Sequence, residues 1–185
     1  MAEHYVSRAG NKLASVASVL GINFQDSVVL DVGSSTGGFT DYALQHGARK
    51  VIAVDVGTKQ LHASLRTNVR IELHEQTDIR DITELSEVPG IVVIDVSFIS
   101  IRDILPSLLN LISDTTEIVV MVKPQFEAYP EQKNRGIIKN DRIRREILKQ
   151  FEKWATAHFL IVAKADSTVA GAGGNLERFY LLRKH

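Results

Sequence analysis

The stretch that most constrains the fold is Val28 to Gly38, which reads VVLDVGSSTGG. An apolar run gives way to small residues and glycines, and Phe39 to Leu44 then has helical spacing. This pattern predicts a strand, a tight loop and a helix. In an open α/β sheet such a loop lies at the carboxyl end of a strand, where ligands bind. Gly33, Gly37 and Gly38 would allow the backbone to approach a ligand that a Cβ atom would exclude.

The chemistry of this loop indicates a cofactor that is cationic and has no phosphate groups. The loop contains Asp31, and it lacks both the Gly-x-Gly-x-x-Gly spacing of dinucleotide sites and the Lys-Ser/Thr step of a P-loop. The next strand, Lys50 to Asp55, also ends in a carboxylate, at the place where this architecture holds a ribose diol. S-adenosylmethionine fits both features. The alternative is an ordinary α/β turn whose glycines serve only its geometry.

The composition bounds the class of protein. The 185 residues are enough for one domain with a full core. Lys plus Arg and Asp plus Glu both number 22, so the net charge gives no indication of whether a nucleic acid binds. Cysteine is absent, which excludes disulfides and thiolate metal sites. No apolar run reaches the roughly 20 residues of a membrane span, and Met1 to Gly10 lacks the apolar core of a signal peptide. We therefore expect a soluble, cytoplasmic protein.

The rest of the chain alternates between strand and helix patterns. The predicted strands are rich in valine and isoleucine, as strands covered on both faces should be: Val28 to Val32, Val51 to Val56, Arg70 to His74, Ile91 to Val96 and Ile118 to Lys123. Helical stretches lie between them: Thr40 to Gln45, Lys59 to Arg66, a poorly patterned piece near Ile79 to Leu85, and Ile101 to Ile112. This order predicts the α/β class, with a mostly parallel, doubly wound sheet. Leu160 to Ala165 and Arg178 to Leu182 are expected to form its antiparallel C-terminal edge.

The N-terminal segment, residues 1–22, is predicted to be helical. Ser7 can cap the helix and Gly21 can end it, and its buried stripe has helical spacing: Leu13, Val16, Ala17 and Leu20. Arg8 and Lys12 lie off this stripe, and the residues alone favour a solvated face for both.

Two stretches interrupt the alternation. Pro124 to Asn140 has no convincing element and follows a strand end, so it is predicted to be a lid or a binding segment. Ala170 to Asn175, which contains three glycines, is predicted to be a flexible bend before the last strand.

Residues 133–153 form the most basic part of the chain, with eight Lys or Arg and three Asp or Glu. On a helix that begins near Asp141, one face carries a cationic stripe, Arg142, Arg145, Lys149 and Lys153, and the other face is apolar: Ile143, Ile147, Phe151 and Trp154. The stripe either is merely solvated or contacts the phosphate backbone of a nucleic acid.

Charged residues mark the ends of several apolar strands. Asp95 and Lys123 each end such a strand, and Glu177 precedes the last one. Because the carboxyl ends of neighbouring parallel strands converge, we expect these side chains to meet beside the glycine loop. A lysine among carboxylates can act as a base if its pKa is lowered, or can hold a substrate hydroxyl while it stays charged. The alternative is a structural salt bridge.

Five motifs together resemble a known family: YVSRAGNKL from Tyr5, DVGSSTGGFTD from Asp31, AVDVG from Ala53, DVSFIS from Asp95 and MVKPQFE from Met121. They are similar to those of the TlyA, or hemolysin A-like, ribosomal RNA methyltransferases, within the wider FtsJ-like group of RNA 2'-O-methyltransferases. The resemblance covers nearly the whole chain. It implies a Rossmann-like fold, S-adenosylmethionine as the cofactor, no metal, and methylation of a ribose 2'-hydroxyl in ribosomal RNA, with cytidine as the expected nucleotide.

The resemblance also implies the site residues. The catalytic Lys-Asp-Lys-Glu set of the family corresponds to Lys12, Asp95, Lys123 and Glu177. The cofactor site is expected to comprise Asp31, Gly33, Ser34, Ser35, Thr36, Gly37, Gly38, Phe39, Asp55, Val56, Asp78 and Asp95. Within it, Asp55 is expected on the ribose hydroxyls and Asp78 near the adenine.

Residues 1–185 are expected to form a single methyltransferase domain, without the small RNA-binding domain that usually begins proteins of this family. We therefore expect the chain alone to bind RNA weakly, through the cationic stripe. Two other classes compete with this interpretation: a module that binds S-adenosylmethionine or RNA without turnover, and a hemolysin that acts on membranes. The hemolysin is disfavoured because a sheet of this kind needs the apolar face of the cationic helix for packing.

Overall fold

A computed structural model describes residues 4–129, 138, 140–171 and 174–185. Within these residues the strands are β1 (Val28–Val32), β2 (Lys50–Val54), β3 (Ile71–His74), β4 (Ile91–Ile94), β5 (Glu117–Val122), β6 (Phe159–Asp166) and β7 (Arg178–Lys184). The α-helices are α1 (Arg8–Leu20), α2 (Gly38–Gln45), α3 (Ile101–Ile104), α4 (Pro124–Glu127) and α5 (Asp141–Ala155).

The strands form one sheet in the order β3-β2-β1-β4-β5-β7-β6. Neighbours among β1 to β5 are parallel, whereas β7 runs antiparallel to both β5 and β6. The predicted α/β class, with a mostly parallel sheet and an antiparallel C-terminal edge, is confirmed. Because the chain winds outward from β1 to β3 and then returns to β4 beside β1, a crevice opens between β1 and β4 at their carboxyl ends.

Each face of the sheet has its own apolar core. On one face, α1 and α2 pack over the strands, and Leu13 and Phe39 are almost fully buried there. On the other face, α3 and α5 cover the strands with residues such as Ile104 and Phe151. Every residue of β1 and β4 is buried. Burial on both faces explains why these two strands show no alternation of polar and apolar residues.

The prediction of a helix over Lys59 to Arg66 is wrong, because this segment forms successive turns. The carboxylate of Glu75 accepts the backbone N–H groups of Lys59, Gln60 and Leu61 at 2.7 to 3.2 Å. Lys59 also has a φ of 52°, in the left-handed region that interrupts a right-handed helix. The carbonyl of Leu61, which would accept the N–H of Leu65 in an α-helix, instead accepts Arg66 Nε at 2.9 Å, and Leu65 N–H donates to the carbonyl of His62 at 2.9 Å.

The predicted helix over Ile101 to Ile112 is also wrong in part. The α-helix stops at Ile104, and a 3-10 helix follows over Leu105–Asn110. Pro106 accounts for the change, since proline has no N–H and its ring clashes with the carbonyl four residues earlier in an α-helix.

Several other boundaries differ from the prediction. The second strand ends at Val54 instead of Val56 and the fourth at Ile94 instead of Val96, because the chain leaves the sheet there to form the loops of the site. The poorly patterned piece near Ile79 to Leu85 is reduced to a 3-10 turn, Ile79–Asp81. The stretch Pro124 to Asn140, predicted to have no element, begins with α4. Residues 130–137, 139 and 172–173 lie outside the described part of the chain.

The packing of α5 yields a test of the fold. Phe151 is fully buried, and its ring centroid lies 5.0 Å from that of Tyr180 on β7. Phe151→Ala should therefore lower the free energy of unfolding by about 3 to 5 kcal/mol in urea titrations. Lys149→Ala, on the exposed side of the same helix, should change it by no more than about 0.5 kcal/mol. Equal effects of the two substitutions would show that α5 does not dock by its apolar face.

Candidate active site

The crevice between β1 and β4 widens into a cleft of about 490 Å³ at the carboxyl edge of the parallel strands. The loops that follow β1, β2, β3 and β4 form its walls. Half of the predicted cofactor residues line it: Gly33, Ser35, Asp55, Val56, Asp78 and Asp95. This volume is in the range of small-molecule and cofactor sites.

A smaller cavity of about 70 Å³ lies against the glycine loop and shares Gly33, Ser35 and Asp95 with the cleft. Its lining contains most of the other predicted residues: Asp31, Ser34, Thr36, Gly38 and Phe39. The structure therefore brings the predicted cofactor residues together around two adjoining spaces. It also adds Ser7 and Ala9, from the start of the N-terminal helix, which were not predicted as cofactor residues.

The small cavity holds polar atoms that have no partner. Ser7 Oγ, Asp31 Oδ1 and Ser34 Oγ are buried and make no hydrogen bond to any residue that the structure describes. Buried polar atoms are nearly always paired in folded proteins, so three of them around one cavity indicate a polar ligand group. A carboxylate suits an ammonium group and two hydroxyls suit a carboxylate, so the set fits the amino-acid end of S-adenosylmethionine.

Asp31 has an altered acidity that follows from its position at the end of β1. Burial, with smaller contributions from the nearby Asp95 and Asp55 carboxylates, raises the pKa of Asp31 to about 7 against the lowering effect of a hydrogen bond from Thr40. That bond, from Thr40 Oγ1 to Asp31 Oδ2, is 2.6 Å long. One oxygen of Asp31 is thus fixed by the protein, and the other faces the small cavity without a partner among the described residues.

The glycines of the loop are required by their protein neighbours. Gly33 and Gly37 have φ values of 78° and 91°. A Cβ atom on Gly33 would lie 2.6 Å from the carbonyl oxygen of Asp95, and one on Gly38 would overlap Ser7 Oγ. The steric requirement visible in the structure therefore comes from the end of β4 and the N-terminal segment, and the close approach to a ligand expected for these glycines stays a prediction.

Asp55 and Asp78 line the cleft and are both held in place by hydrogen bonds. Asp55 accepts the backbone N–H of Ser35 at 2.8 Å with one oxygen and that of Gly57 at 2.7 Å with the other. Asp78 pairs with Arg80 at 2.6 Å, which lowers the pKa of Asp78 through the hydrogen bond. Both carboxylates are fixed by these bonds, and each oxygen of Asp55 still has a lone pair available for a ligand hydroxyl.

A buried lysine lies at the mouth of the cleft. Lys123, directly after β5, has its Nζ 2.5 Å from Asp95 Oδ1 and donates a 2.8 Å hydrogen bond to Ser97 Oγ. Its side chain is 11% exposed, and the centroid of the Phe126 ring lies 5.8 Å from Nζ. The ammonium group is therefore fixed in position by the loop after β4, next to the space that the cleft encloses.

A second ion pair joins the N-terminal helix to the last strand. Lys12 Nζ lies 2.9 Å from Glu177 Oε2, and the two side chains are only 12% and 2% exposed. The solvated face that the residues alone favoured for Lys12 is therefore wrong, although Arg8 is exposed as expected. Lys12 is buried because α1 packs across the sheet and turns this position toward the start of β7.

The register of the sheet sets the two ion pairs side by side. Val122 pairs with Arg178, so Glu177 comes opposite Lys123 immediately beyond the paired residues. All four residues of the predicted catalytic set therefore lie at the same edge of the sheet, as two pairs: Lys123 with Asp95 and Lys12 with Glu177.

Some residues of this edge were not predicted as site residues. Ser97 and Phe98 line the cleft, and Phe98 is 92% exposed with a φ of 66°, a strained conformation for an aromatic residue. Both lie within the DVSFIS motif that was recognised, but only its aspartate was assigned a role. A bulky aromatic residue three positions after a strand-end acid was the available signal. Nothing in the local sequence distinguished Ser7 as a cavity residue instead of a helix cap.

The strand order and the cleft define the class of protein, an α/β protein with the fold of S-adenosylmethionine-dependent methyltransferases. A solved methyltransferase of this kind from Mesorhizobium loti superposes with a TM-score of 0.63 over 92% of this chain and 98% of its own, at 12% identity, which shows the fold alone. The chain belongs to the FtsJ-like methyltransferase family, whose sequence profile matches residues 5–184. The family expected from the motifs is thereby confirmed.

Closer relatives carry two kinds of name. The 23S rRNA (cytidine-2'-O)-methyltransferase TlyA of Campylobacter jejuni is 40% identical over 100% of this chain and 73% of its own length. Hemolysin A of Brachyspira hyodysenteriae is 41% identical over 94% of this chain and 74% of its own length. A solved structure from Streptococcus thermophilus that bears a hemolysin name superposes with a TM-score of 0.94 at 39% identity, covering 100% of this chain and 68% of its own.

The raised pKa of Asp31 predicts how stability depends on pH. Between the ordinary value of 3.8 and about 7, the folded state keeps a proton that the unfolded state has lost. The free energy of unfolding of ligand-free protein should therefore fall as pH rises through this range, and Asp31→Asn should remove that part of the fall. As pH rises through this range, the free energy of unfolding of Asp31→Asn measured from unfolding curves should increase relative to that of the wild type, by up to about 1.4 kcal/mol per pH unit.

The matched control for this titration is Asp114→Asn, since the side chain of Asp114 is 83% exposed. Its free energy of unfolding should change with pH in the same way as that of the wild type across the same range. If the free energy of unfolding of Asp31→Asn also changes with pH as that of the wild type does, Asp31 does not carry a raised pKa in the folded protein.

Proposed function

We propose that this protein transfers a methyl group from S-adenosylmethionine to the 2'-hydroxyl of a cytidine in ribosomal RNA. The observation that carries the proposal is the pair of buried lysine–carboxylate contacts beside the cleft, Lys123 with Asp95 and Lys12 with Glu177. These residues occupy the positions of the catalytic set of the family. The names of relatives such as the Campylobacter enzyme supply the reaction and the substrate class.

The residues around the two cavities fit the proposed cofactor. S-adenosylmethionine, when bound, supplies an electrophilic methyl group. Asp31 would hold its ammonium group in the small cavity, where Ser7 and Ser34 offer hydroxyl donors for the carboxylate. Asp55 would accept the ribose hydroxyls in the larger cleft, and Asp78 would lie on the adenine side. No lysine lines either cavity among the described residues, as suits a cofactor without phosphates.

Lys123 is the residue best placed to manage the proton of the substrate hydroxyl. Its Nζ is held between Asp95 and Ser97 at the mouth of the cleft, within reach of a hydroxyl that enters there. Asp95 orients Nζ, and the neighbouring pair of Lys12 and Glu177 adds one positive and one negative charge at the same edge. Lys123 can receive the proton of the ribose hydroxyl only as the neutral amine, because an ammonium group has no free electron pair. In this arrangement Nζ first releases a proton to solvent, then orients the hydroxyl and takes up its proton as the hydroxyl oxygen is methylated, which restores the ammonium group beside Asp95.

Phe98 offers a binding surface for the nucleotide. Its ring is 92% exposed at the cleft, and it lies against Phe126 with a centroid distance of 5.1 Å, so it is supported from one side only. RNA-binding proteins commonly stack an unpaired base on such a ring. We infer that the base of the target nucleotide stacks on the free side of Phe98.

The cationic stripe on α5 is available for RNA, but its two halves differ in position. Arg144, between the stripe residues, donates to the carbonyl of Leu176 at 3.0 Å, which places the first turn of α5 beside Glu177. The last turn leads directly into β6, at the opposite edge of the sheet. The helix is about 22 Å long. The stripe therefore has one half near Glu177, Arg142 and Arg145, and one half far from Glu177, Lys149 and Lys153.

The hemolysin interpretation finds less support in this structure. Among the described residues, no helix is both long enough and apolar enough to cross a membrane. The apolar side of α5, including Ile147 and Phe151, is already buried in the core, so it is not free to lie on a lipid surface. The hemolysin name belongs to relatives such as the Brachyspira protein.

The role of Lys123 is tested by Lys123→Met. Because a residue that manages the proton acts in the transition state, single-turnover methylation of ribosomal RNA should fall by about 10² to 10⁴, with little change in S-adenosylmethionine affinity. Lys164→Met is the control, since Lys164 makes a 2.9 Å ion pair with Glu152 away from the cleft. It should methylate normally. If Lys123→Met methylates within about threefold of an active wild type, Lys123 does not handle the proton.

The two halves of the stripe predict different effects of salt on RNA binding. Replacing Arg142 and Arg145 with alanine should reduce the slope of log affinity against log salt by about 1.4 to 1.8, since each phosphate contact contributes roughly 0.7 to 0.9. The same change at Lys149 and Lys153 should leave the slope unchanged, because these residues lie away from the site. Equal changes for both pairs, or none for either, would contradict this division of the stripe.

A further inference from the structure

The connection between β6 and β7 is held tightly around Glu177 in its described residues. Ser167 donates its backbone N–H to the carbonyl of Glu177 at 3.1 Å, and its hydroxyl donates to the carbonyl of Val169 at 2.9 Å. Gly171 N–H donates to the carbonyl of Asn175 at 2.9 Å, and Asn175 is itself buried. The segment connects the last two strands as predicted, and these hydrogen bonds tie its described residues to the protein around Glu177.

Gly171 lies directly against the carboxylate of Glu177. A Cβ atom at position 171 would overlap Oε1 and would lie 2.8 Å from Cδ and 3.1 Å from Oε2 of Glu177. Gly171 is buried, and the Glu177 side chain is only 2% exposed. The backbone at position 171 thus packs against the Glu177 carboxylate on one side, while the carboxylate forms its ion pair with Lys12.

The requirement for glycine at this position comes from the carboxylate and not from the backbone conformation. Gly171 is outside the set of glycines with positive φ, so other residues could adopt its backbone geometry. Gly174, three residues later, shows the opposite case: its φ is 81°, and a Cβ atom there would meet nothing within 4 Å. One short connection therefore contains a glycine needed for contact with Glu177 and a glycine needed only for its own conformation.

The same connection is also tied to the other partner of the ion pair. The backbone N–H of Thr168 donates to Ser15 Oγ at 3.4 Å, and Ser15 Oγ donates to the carbonyl of Lys12 at 2.7 Å. Residues 167–171 therefore touch the turn of α1 that carries Lys12 and the residue that carries the carboxylate. This arrangement shields the ion pair from water and fixes the distance between its two members.

We propose that Gly171 is a positioning residue that holds the Glu177 carboxylate against Lys12, so that the ion pair keeps one geometry beside Lys123. This inference rests on the proposed function, in which Glu177 and Lys12 belong to the catalytic set. Gly171 itself touches neither substrate nor cofactor in this account and acts only through Glu177. A methyl group at position 171 pushes the carboxylate away from the backbone there and lengthens or breaks the contact with Lys12.

The test compares Gly171→Ala with Gly174→Ala. Gly171→Ala should slow single-turnover methylation of ribosomal RNA by at least about tenfold while S-adenosylmethionine affinity stays within about twofold, since the carboxylate and not the cofactor site is displaced. Gly174→Ala strains the backbone without touching Glu177, so it should lower the melting temperature and leave the methylation rate near that of the wild type. Similar rate losses in the two variants would overturn the proposal, because they would point to general disruption of the connection.

A compensating substitution makes the test specific to the carboxylate. Glu177→Asp shortens the side chain by one methylene and makes room for a methyl group at position 171. The loss caused by Gly171→Ala should therefore be at least about fivefold smaller in the Glu177→Asp background than in the wild type. An equal loss in both backgrounds would show that Gly171 does not act through Glu177.

A second readout does not depend on catalysis. Acetylation of Lys12 by a lysine-specific reagent, followed by peptide mass spectrometry, should be slow in the wild type because Lys12 is only 12% exposed and ion-paired. It should accelerate in Gly171→Ala and stay slow in Gly174→Ala, with the exposed Lys149 as internal reference. Unchanged Lys12 labelling in Gly171→Ala overturns the positioning role. A wild type that labels as expected but methylates no ribosomal RNA contradicts the proposed function alone.

Discussion

The direction of the strands is the constraint on which this structure depends, because it decides which residues reach the edge of the sheet where the parallel strands end. β1, β4 and β5 run in the same direction, so Asp31, Asp95 and Lys123, at or just beyond their carboxyl ends, are carried to one side of the protein. β7 runs the other way, and Glu177, which precedes it, reaches the same edge for that reason. A parallel β7 would have carried Glu177 to the opposite edge. The antiparallel direction of β7 therefore positions a residue of the candidate site as well as completing the sheet.

Four charged residues at this edge are balanced in two pairs. Lys123 with Asp95 and Lys12 with Glu177 are little exposed, and removing one member of a buried pair commonly costs about 3 to 5 kcal/mol because it strands the other. Stability and activity must therefore be measured together for every variant at this edge. Asp31 differs from these four, since no cation among the described residues pairs with it and burial raises its pKa to about 7. A perturbed carboxyl group beside a cavity is a frequent mark of a functional site.

Much of this architecture could be predicted from the sequence, because its signals are local. Buried strands such as β4 show uninterrupted apolar runs, and Gly21 ends α1 in the left-handed conformation that a glycine after a helix predicts. One error has a local cause, since Pro106 ends the α-helix that was predicted to reach Ile112. Others arise where residues elsewhere in the chain decide: Lys59 to Arg66 has helical spacing, but Glu75 and Thr36 accept N–H groups of this segment and hold it in turns. The low exposure of the Lys12 side chain also depends on tertiary packing, since its sequence spacing alone indicated a solvated position.

The site residues show the same division between local and distant causes. Asp31, Asp55 and Asp95 could be named because strand ends are visible in sequence and the family motifs mark them. Ser7 could not, since it contacts Gly38 far away in the chain, and Gly171 could not, since its contact with the nearby Glu177 depends on how the connection between β6 and β7 folds. Steric contacts of this kind leave no periodic pattern, because one pair of residues is enough to make them.

The central claim is that this edge directs a methyl group to a ribose hydroxyl of ribosomal RNA. The most direct measurement incubates the protein with ribosomal subunits and S-adenosylmethionine that carries a labelled methyl group, then digests the RNA to nucleosides for mass spectrometry. The account predicts that the label is recovered as 2'-O-methylcytidine and that it is absent when Lys123→Met replaces the wild type. Label on a nucleobase, label on another nucleoside, or binding of the cofactor without any labelled RNA would contradict it.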